Sequence, residues 1–509
     1  MNTRCLIIVG LLGCVPAFSS AASPAEVKTA LVKAVTFMHT KAAVHGGYVY
    51  RYSADFTLRE AEGIPGPDTI WIQPPGTTAV GEAMLDAYEA TQDKVCLGAA
   101  TEAAHAVSRT QLQSGGWDYS GDLGRDRAKA GQYSRTVDGK VANMGAMAAH
   151  EPGWHLWKQR KLKLNLATLD DDVTQSATRL LVRVNATLRQ QDEEIHDAAG
   201  FALIALRSVQ YPNGAWSASF DALTEGEFSK ELYPIKPASY PVDWPRKWPK
   251  NFTGCYVLND NLHATAMRTL LLGAKLDNDA DALAAAKRAG DFLLLAQMPD
   301  PQPAWAQQYD AEMHPCWSRA FEPSSISGRE SQAVMWALLR LVEATGDKKY
   351  LAPIPRAVEY LKRSRLPNGK IARFYELQTN KPLYFVRGKG GKGFELSYDG
   401  THASSNYGWE WNYEGDAILA AMEALKSGAK PMYPKAEHER WNLPPSDADV
   451  DTILKSMNAE GAWLETGDER GWIRDASGKK VHPAGGVIHS DTFVQNVRAL
   501  SAWLKEKKS

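Results

Sequence analysis

The chain has 509 residues, 44% of them hydrophobic, with 58 Lys and Arg set against 59 Asp and Glu. A net charge of −1 excludes a generally basic nucleic-acid binder, so any recognition by charge must come from local clusters. The length suits several domains or one large helical ring, and 16 Trp is a bias shared by many carbohydrate-active proteins.

Residues 1 to 22 read as an export signal: Arg4, the apolar CLIIVGLLGCVPAF, then the small residues SSAAS. The expected location is therefore secreted or periplasmic. A competing reading takes Leu11-Leu12-Gly13-Cys14 as a lipoprotein box, with a lipid anchor at Cys14. No later stretch approaches about 18 uninterrupted apolar residues, so no membrane span is expected. The mature chain keeps Cys96, Cys255 and Cys316, an odd number that allows at most one disulfide.

From Pro24 onward, EVKTALVKAVTFMHT, AVGEAMLDAYEATQD and AATEAAHAVSRTQLQ place apolar residues at helical spacing. They predict an N-terminal helical region over 23–160, ending in the irregular segment from Ser120 to Lys163. A central region over 161–430 opens with TLDDDVTQSATRLLVRVNATL, where Asp170 to Asp172 are ordinary helix starters. The stretch from Asp221 to Thr253 has five prolines and no period, which marks a long loop of functional type. Helix patterns resume with LNDNLHATAMRTLLLGAKL, DADALAAAKRAGDFLLLAQ, GRESQAVMWALLRLVEATGD and YLAPIPRAVEYLKRS. Strand-like alternation is confined to pieces such as KIARFYEL and PLYFVRG. A C-terminal helical segment over 431–509 completes the chain.

A phrase recurs along it: an apolar helix, a small-residue turn, then an aromatic. The turns are HGGYVYRYS from His45, QSGGWDYS from Gln113, YPNGAWSAS from Tyr211, LPNGKIARFYE from Leu366 and AEGAWLE from Ala459. A degenerate copy, MPDPQPAWAQQYD, starts at Met298. Self-similarity at long period predicts a mainly α fold, an (α/α) toroid or barrel of helical hairpins with short β elements in the rim loops. The aromatics either line the rim, where Trp216 would meet a sugar, or plug the hairpins beneath them.

Three segments hold polar residues that helix packing does not need. They are Trp317 to Pro323 with the following SSISG, Arg373 to Leu377 with Arg387 further on, and Asn259-Asp260 in YVLNDNLH. Arginine suits two-pronged capture of carboxylates, and a polyanionic sugar could also be held by bridging Ca²⁺, which takes oxygen ligands. A structural salt bridge, for instance from an Arg to Glu322 or Glu376, is the competing role. No His-Glu-x-x-His or paired Cys-x-x-Cys spacing calls for zinc, and His263, His314 and His402 read as packing or surface residues.

In their order, TLDDDVTQSATRLL, VQYPNGAWSAS, YVLNDNLHATAM, QQYD, SRAFEPSSISGRES and RFYELQTNKPLYFVRG resemble the family-10 pectate lyases. The resemblance spans roughly Thr168 to Arg387. It implies cleavage of polygalacturonate by Ca²⁺-assisted β-elimination, an alkaline optimum and a monomer. Arg319 matches the family's catalytic base, while Arg373 and Arg387 match arginines that bind substrate carboxylates. Asp260 matches an active-site aspartate near metal and substrate, with Asn259, Trp216 and Glu322 as neighbouring substrate contacts. Asp170 matches a functional aspartate of an Asp-Asn pair; Asp171 stands where the family has Asn, and a gap choice admits Asp172. The expected metal ligands are thus Asp170, Asp171, Asp172 and Asp260. Two other functions compete: a helical-toroid hydrolase of unsaturated uronides using an Asp acid/base, and a non-catalytic pectin-binding protein.

Overall fold

A computed structural model describes residues 22–124, 147–148, 165–224, 228–250, 256–433 and 445–508. The export signal with Cys14, most of the Ser120–Lys163 segment, and Cys255 lie outside the described residues. Twelve helices are described: α1 Pro24–Phe37, α2 Thr77–Thr91, α3 Lys94–Ser108, α4 Val173–Thr187, α5 Glu193–Ser208 and α6 Leu262–Leu276. After these come α7 Ala280–Leu295, α8 Gly328–Thr345, α9 Ile354–Arg363, α10 Gly415–Ser427, α11 Asp447–Ser456 and α12 Ser490–Glu506. The even-numbered helices pack side by side in the order α12, α2, α4, α6, α8, α10, and the odd-numbered ones lie against them on the outside. This is an α/α toroid of helical hairpins, and its C-terminal helix α12 returns to pack on α1 and α2.

Burial follows that layering. Helices α2, α4 and α8 are buried around most of their circumference. The sequence of α4 is nevertheless polar, because its buried side chains find partners on neighbouring inner helices. Gln175 donates to Leu169 O (2.7 Å) and Thr265 Oγ1 (3.0 Å), and Ser176 donates to Thr78 Oγ1 (3.0 Å). Arg179 and Arg183 reach Glu82 on α2, which also accepts from Arg498 on α12.

The recurrent turn is a plug rather than a sugar platform. Trp117, Trp216 and Trp305 are fully buried and Trp463 nearly so. Each donates its indole N–H to a carbonyl of the preceding helix: Val107 (2.9 Å), Leu206 (2.8 Å), Leu293 (2.8 Å) and Ile453 (3.0 Å). Trp216 therefore offers no open face to a sugar; it packs against His263, with ring centroids 5.1 Å apart. A glutamine adds a second staple. Gln111, Gln210 and Gln297 each bridge their own turn to the next outer helix or its start, reaching Ala198 O, Ala285 O and Pro353 O.

The glycine of the YPNGAW turn shows why the phrase is stringent. Gly214 sits at φ +94°, and a Cβ there would lie 2.0 Å from the backbone O of Arg288 on α7. Gly214→Ala is expected to cost about 3 kcal/mol or more, from left-handed strain plus a backbone clash. Urea unfolding checks this, and an unchanged midpoint would remove the turn from the set of structural determinants.

The helices match the sequence patterns closely, and 228–250 has no helix or strand, as its prolines demand. Short antiparallel strands at the rim form two four-stranded sheets, one of them in the order Ser325–Ser327, Phe374–Glu376, Pro382–Arg387, Phe394–Ser397. Cys96 and Cys316 are buried. Among the described residues, no helix is long and apolar enough to cross a membrane.

Candidate active site

Two inner helices begin with the same irregular turn. Leu169-Asp170-Asp171-Asp172 precedes α4, and Leu258-Asn259-Asp260-Asn261 precedes α6. In both, the second and third polar residues take left-handed backbone: φ 50° and 61° at Asp171 and Asp172, 48° and 61° at Asp260 and Asn261. Asp and Asn tolerate that conformation better than other side chains bearing a Cβ, which is why the sequence repeats them there. The positional counterpart of Asp260 is therefore Asp171. Neither α4 nor α6 has a side-chain N-cap, whereas outer helices α1, α3, α5, α7 and α11 all do. The positive ends of the inner helix dipoles are thus left beside this acidic group.

Asp170, Asp171 and Asp260 converge, each offering a carboxylate oxygen within 4.8 Å of the others. Burial, then the Asp171 and Asp260 charges, pushes the Asp170 carboxyl up to about 8. Burial, then Asp260 and Glu62, pushes Asp171 up to about 6. Tyr119 donates to Asp170 Oδ2 (3.1 Å), while the buried Asp170 Oδ1 has no hydrogen-bond partner among the described residues. Gln73 donates to Asp171 Oδ2 (3.2 Å). Three carboxylates with one orphaned oxygen fit a hard divalent cation such as Ca²⁺. Asp172 does not join them. Its carboxylate turns inward to a two-pronged pair with Arg179 (2.9 and 2.5 Å), so it fixes the turn instead of binding metal.

The cationic side of the site meets the acidic side at Asp260. Its Oδ1 accepts from Arg329 (3.0 Å) and lies 3.8 Å from Arg373, and its Oδ2 lies 3.7 Å from Arg319. Asn259 is buried, donating to Asp260 Oδ2 (2.8 Å) and accepting from Gln307, so it orients Asp260 and does not reach a substrate. Arg373 is only 3% exposed, stacked 3.9 Å over the Tyr407 ring and held by Glu330 (3.1 Å). It supplies charge from the floor, without an open face for a carboxylate.

Arg319 is different, being 41% exposed. Glu322 grips it from below through Nε (2.8 Å), NH2 (2.5 Å) and the backbone N–H (3.1 Å). Glu322 is itself buried and accepts from Tyr407 (2.6 Å), so it positions Arg319 and contacts no substrate. Burial works to lower the Arg319 pKa, but the Glu322 hydrogen bonds and charge outweigh it and raise the value. The surround of Arg319 is therefore anionic, opposite to the cationic one that an arginine acting as a base would need. Arg387 stands on the rim, 4.5 Å over Phe394, which packs on Phe321 two residues from Arg319.

Of the rival histidines, His263 is buried, with its Nε2 3.0 Å from Ala289 O, and burial pushes its pKa down to about 4. Sequence reasoning missed Arg329, although it follows directly on the quoted SISG phrase. It also missed Tyr407, Tyr119, Gln73 and Glu330. Gly328 N bonds Arg373 O (2.9 Å), which is how the rim sheet sets Arg329 and Arg373 side by side.

Residues 256–371 match the family model of the pectic acid lyases. That span holds Asn259, Asp260, Arg319, Glu322 and Arg329, and stops short of Arg373. No curated protein matches the chain. Among solved structures, the family 10 polysaccharide lyase from Cellvibrio cellulosa is 21% identical, covering 68% of this chain and 97% of its own, with a TM-score of 0.40. A mutant of that enzyme in complex with trigalacturonic acid is 20% identical, with 68% and 98% covered and the same TM-score of 0.40. Cellobiose 2-epimerase from Bacillus thermoamylovorans is 12% identical over 95% of this chain and 99% of its own, with a TM-score of 0.46. The chain thus resembles the pectic acid lyases over residues 256–371.

Proposed function

We propose that the protein is an exported pectate lyase that cleaves polygalacturonate by β-elimination with the help of Ca²⁺. The observation that carries this reading is the convergence of Asp170, Asp171 and Asp260 beside the solvent-facing Arg319, which lies 3.7 Å from Asp260. The reaction removes the C5 proton of a galacturonate, forms the C4=C5 double bond and expels the C4 oxygen with the bond pair. Held by Asp170, Asp171 and Asp260, Ca²⁺ would neutralise the substrate carboxylate, acidify the α hydrogen and cancel the negative field at Arg319. Arg319 takes the C5 proton on a nitrogen freed when its guanidinium first gives one proton to solvent hydroxide, with Glu322 and Tyr407 fixing its plane. Arg329 and Arg373 hold Asp260 in its orientation from behind. Arg387 offers a carboxylate contact at the rim. Because Glu322 and Asp260 hold the Arg319 proton, turnover is expected to climb into the alkaline range.

The raised carboxyl of Asp170 gives a pH-dependent signature. Its folded value of about 8 exceeds the ordinary 3.8, so folding favours its protonated form. The stability this contributes is present at low pH and is lost as pH rises through about 8. Ca²⁺ should restore it by binding the ionised cluster. The thermal shift caused by Ca²⁺ is therefore expected to be larger at pH 9 than at pH 5. An equal shift at both values would argue against these carboxylates as the ligands.

One observation favours a second reading. A carboxyl titrating near 8 suits a general acid, so Asp170 could serve a hydrolase acting on uronides without Ca²⁺. Mass spectrometry of the products separates the two. A lyase leaves a new non-reducing end lighter by one water than a hydrolase does, and saturated products alone would refute the lyase reading.

A further inference from the structure

The 228–250 loop, which the catalytic chemistry does not use, is built onto the segment that carries Arg319. Trp317 Nε1 donates to Pro245 O (2.8 Å), and Trp248 Nε1 donates to Ser318 O (2.8 Å). These two bonds clamp the loop on either side of Arg246. Further along, Ala238 N bonds Leu295 O (2.7 Å) and Ser239 N bonds Met313 O (3.2 Å), so the loop has a fixed path despite its lack of helix or strand.

Arg246 is half exposed, with its guanidinium carbon 4.0 Å over the buried Trp244 ring. One terminal nitrogen donates to Trp244 O (3.0 Å) and lies 3.6 Å from the exposed Asp243, and Nε lies 3.6 Å from the buried Glu376. The other terminal nitrogen makes no hydrogen bond among the described residues. Such a side chain keeps its orientation while presenting N–H donors to solvent.

The same construction occurs at two other points on this rim. Arg319 lies 5.3 Å from the Phe321 ring and Arg387 lies 4.5 Å from the Phe394 ring, with Phe321 and Phe394 packed together. Three solvent-facing guanidiniums, each beside an aromatic, therefore belong to segments packed on Trp317–Phe321. A group of fixed cations matches a polymer that carries one carboxylate on every sugar. We propose that Arg246, held by Trp244 and Glu376, forms an additional carboxylate subsite for a polyuronate chain beyond the reacting residues. The proposal rests on the polyuronate reading of the substrate and makes the 228–250 loop a determinant of preferred chain length.

The test compares full-length wild type, Arg246→Ala and Arg246→Lys on tri- and hexagalacturonate. The ratio of kcat/KM for hexamer over trimer is expected to fall about three- to fivefold in Arg246→Ala, the size of an exposed charge contact, and to be largely kept in Arg246→Lys. An unchanged ratio overturns the subsite while leaving the lyase reading intact. If wild type does not cleave these substrates, the activity reading fails and native gels still decide the subsite. Retardation by embedded polygalacturonate should weaken in Arg246→Ala, whereas fully methyl-esterified pectin should treat both proteins alike. Equal retardation in polygalacturonate, or an equal loss in both polymers, would overturn a carboxylate subsite.

Discussion

Replacing Arg319 by Lys is expected to slow polygalacturonate cleavage by about 10²- to 10³-fold, and replacing it by Ala by 10³-fold or more. Lysine keeps one positive charge but cannot match the two-pronged seat on Glu322, so its nitrogen is misplaced for the C5 proton. Alanine has a second effect that must be separated from the first. It leaves Glu322 buried and ionised without its cation, at a cost of about 3 kcal/mol. The double variant Arg319→Ala/Glu322→Gln should recover most of that stability, since Gln can still bond Tyr407, and should recover none of the activity. Steady-state rates with thermal melts on the same samples check both statements. Turnover by Arg319→Lys within about tenfold of wild type would remove Arg319 from the role of base.

Asp260→Asn is expected to weaken Ca²⁺ binding by at least about tenfold and to lower activity by about 10²-fold. The residue is where the two halves of the site touch. It faces Asp170 and Asp171 on one side, and Arg319, Arg329 and Arg373 on the other. Removing its charge takes a ligand from the cation and also leaves three guanidiniums facing each other with less compensation. Asp171→Asn should weaken Ca²⁺ binding similarly but leave the arginines in place, so its activity should recover at high Ca²⁺ where that of Asp260→Asn does not. Calorimetric titration with Ca²⁺ gives the affinities. Equal rescue of both variants by Ca²⁺ would contradict the bridging role of Asp260.

Much of the scaffold was legible in the sequence because helical periodicity and turn chemistry are local properties. The patterns DADALAAAKRAGDFLLLAQ and GRESQAVMWALLRLVEATGD became α7 and α8, and the repeated turn marked where each hairpin closes. The role of its tryptophan was not legible. A buried plug and a rim platform need the same residue at the same spacing, and only the indole bond to Leu206 O separates them at Trp216.

The site divides in the same way. The acidic turn before α4 and the ND pair before α6 are contiguous motifs, so Asp170, Asp171 and Asp260 could be named from the sequence. Asp172 could not be set apart from them, because its partner Arg179 lies seven residues on and reads as an ordinary helix residue. Arg329 was hidden by its position in the first turn of α8, where a charged residue needs no special reason. Tyr119 and Gln73 were hidden because they come from the N-terminal hairpins, which reach the acidic cluster only once the ring forms. The direction of the Arg319 side chain was also out of reach, since Glu322 three residues later serves equally as a salt-bridge partner and as a seat.

The most direct measurement of the central claim is ultraviolet absorbance of polygalacturonate solutions treated with the purified protein at alkaline pH, with added Ca²⁺ and with a chelator. The expected result is steady growth of the absorbance of unsaturated uronide ends, abolished by chelator and restored by excess Ca²⁺. Growth of reducing ends without that absorbance, or absorbance indifferent to chelator, would contradict the β-elimination carried out by Arg319 beside Asp170, Asp171 and Asp260.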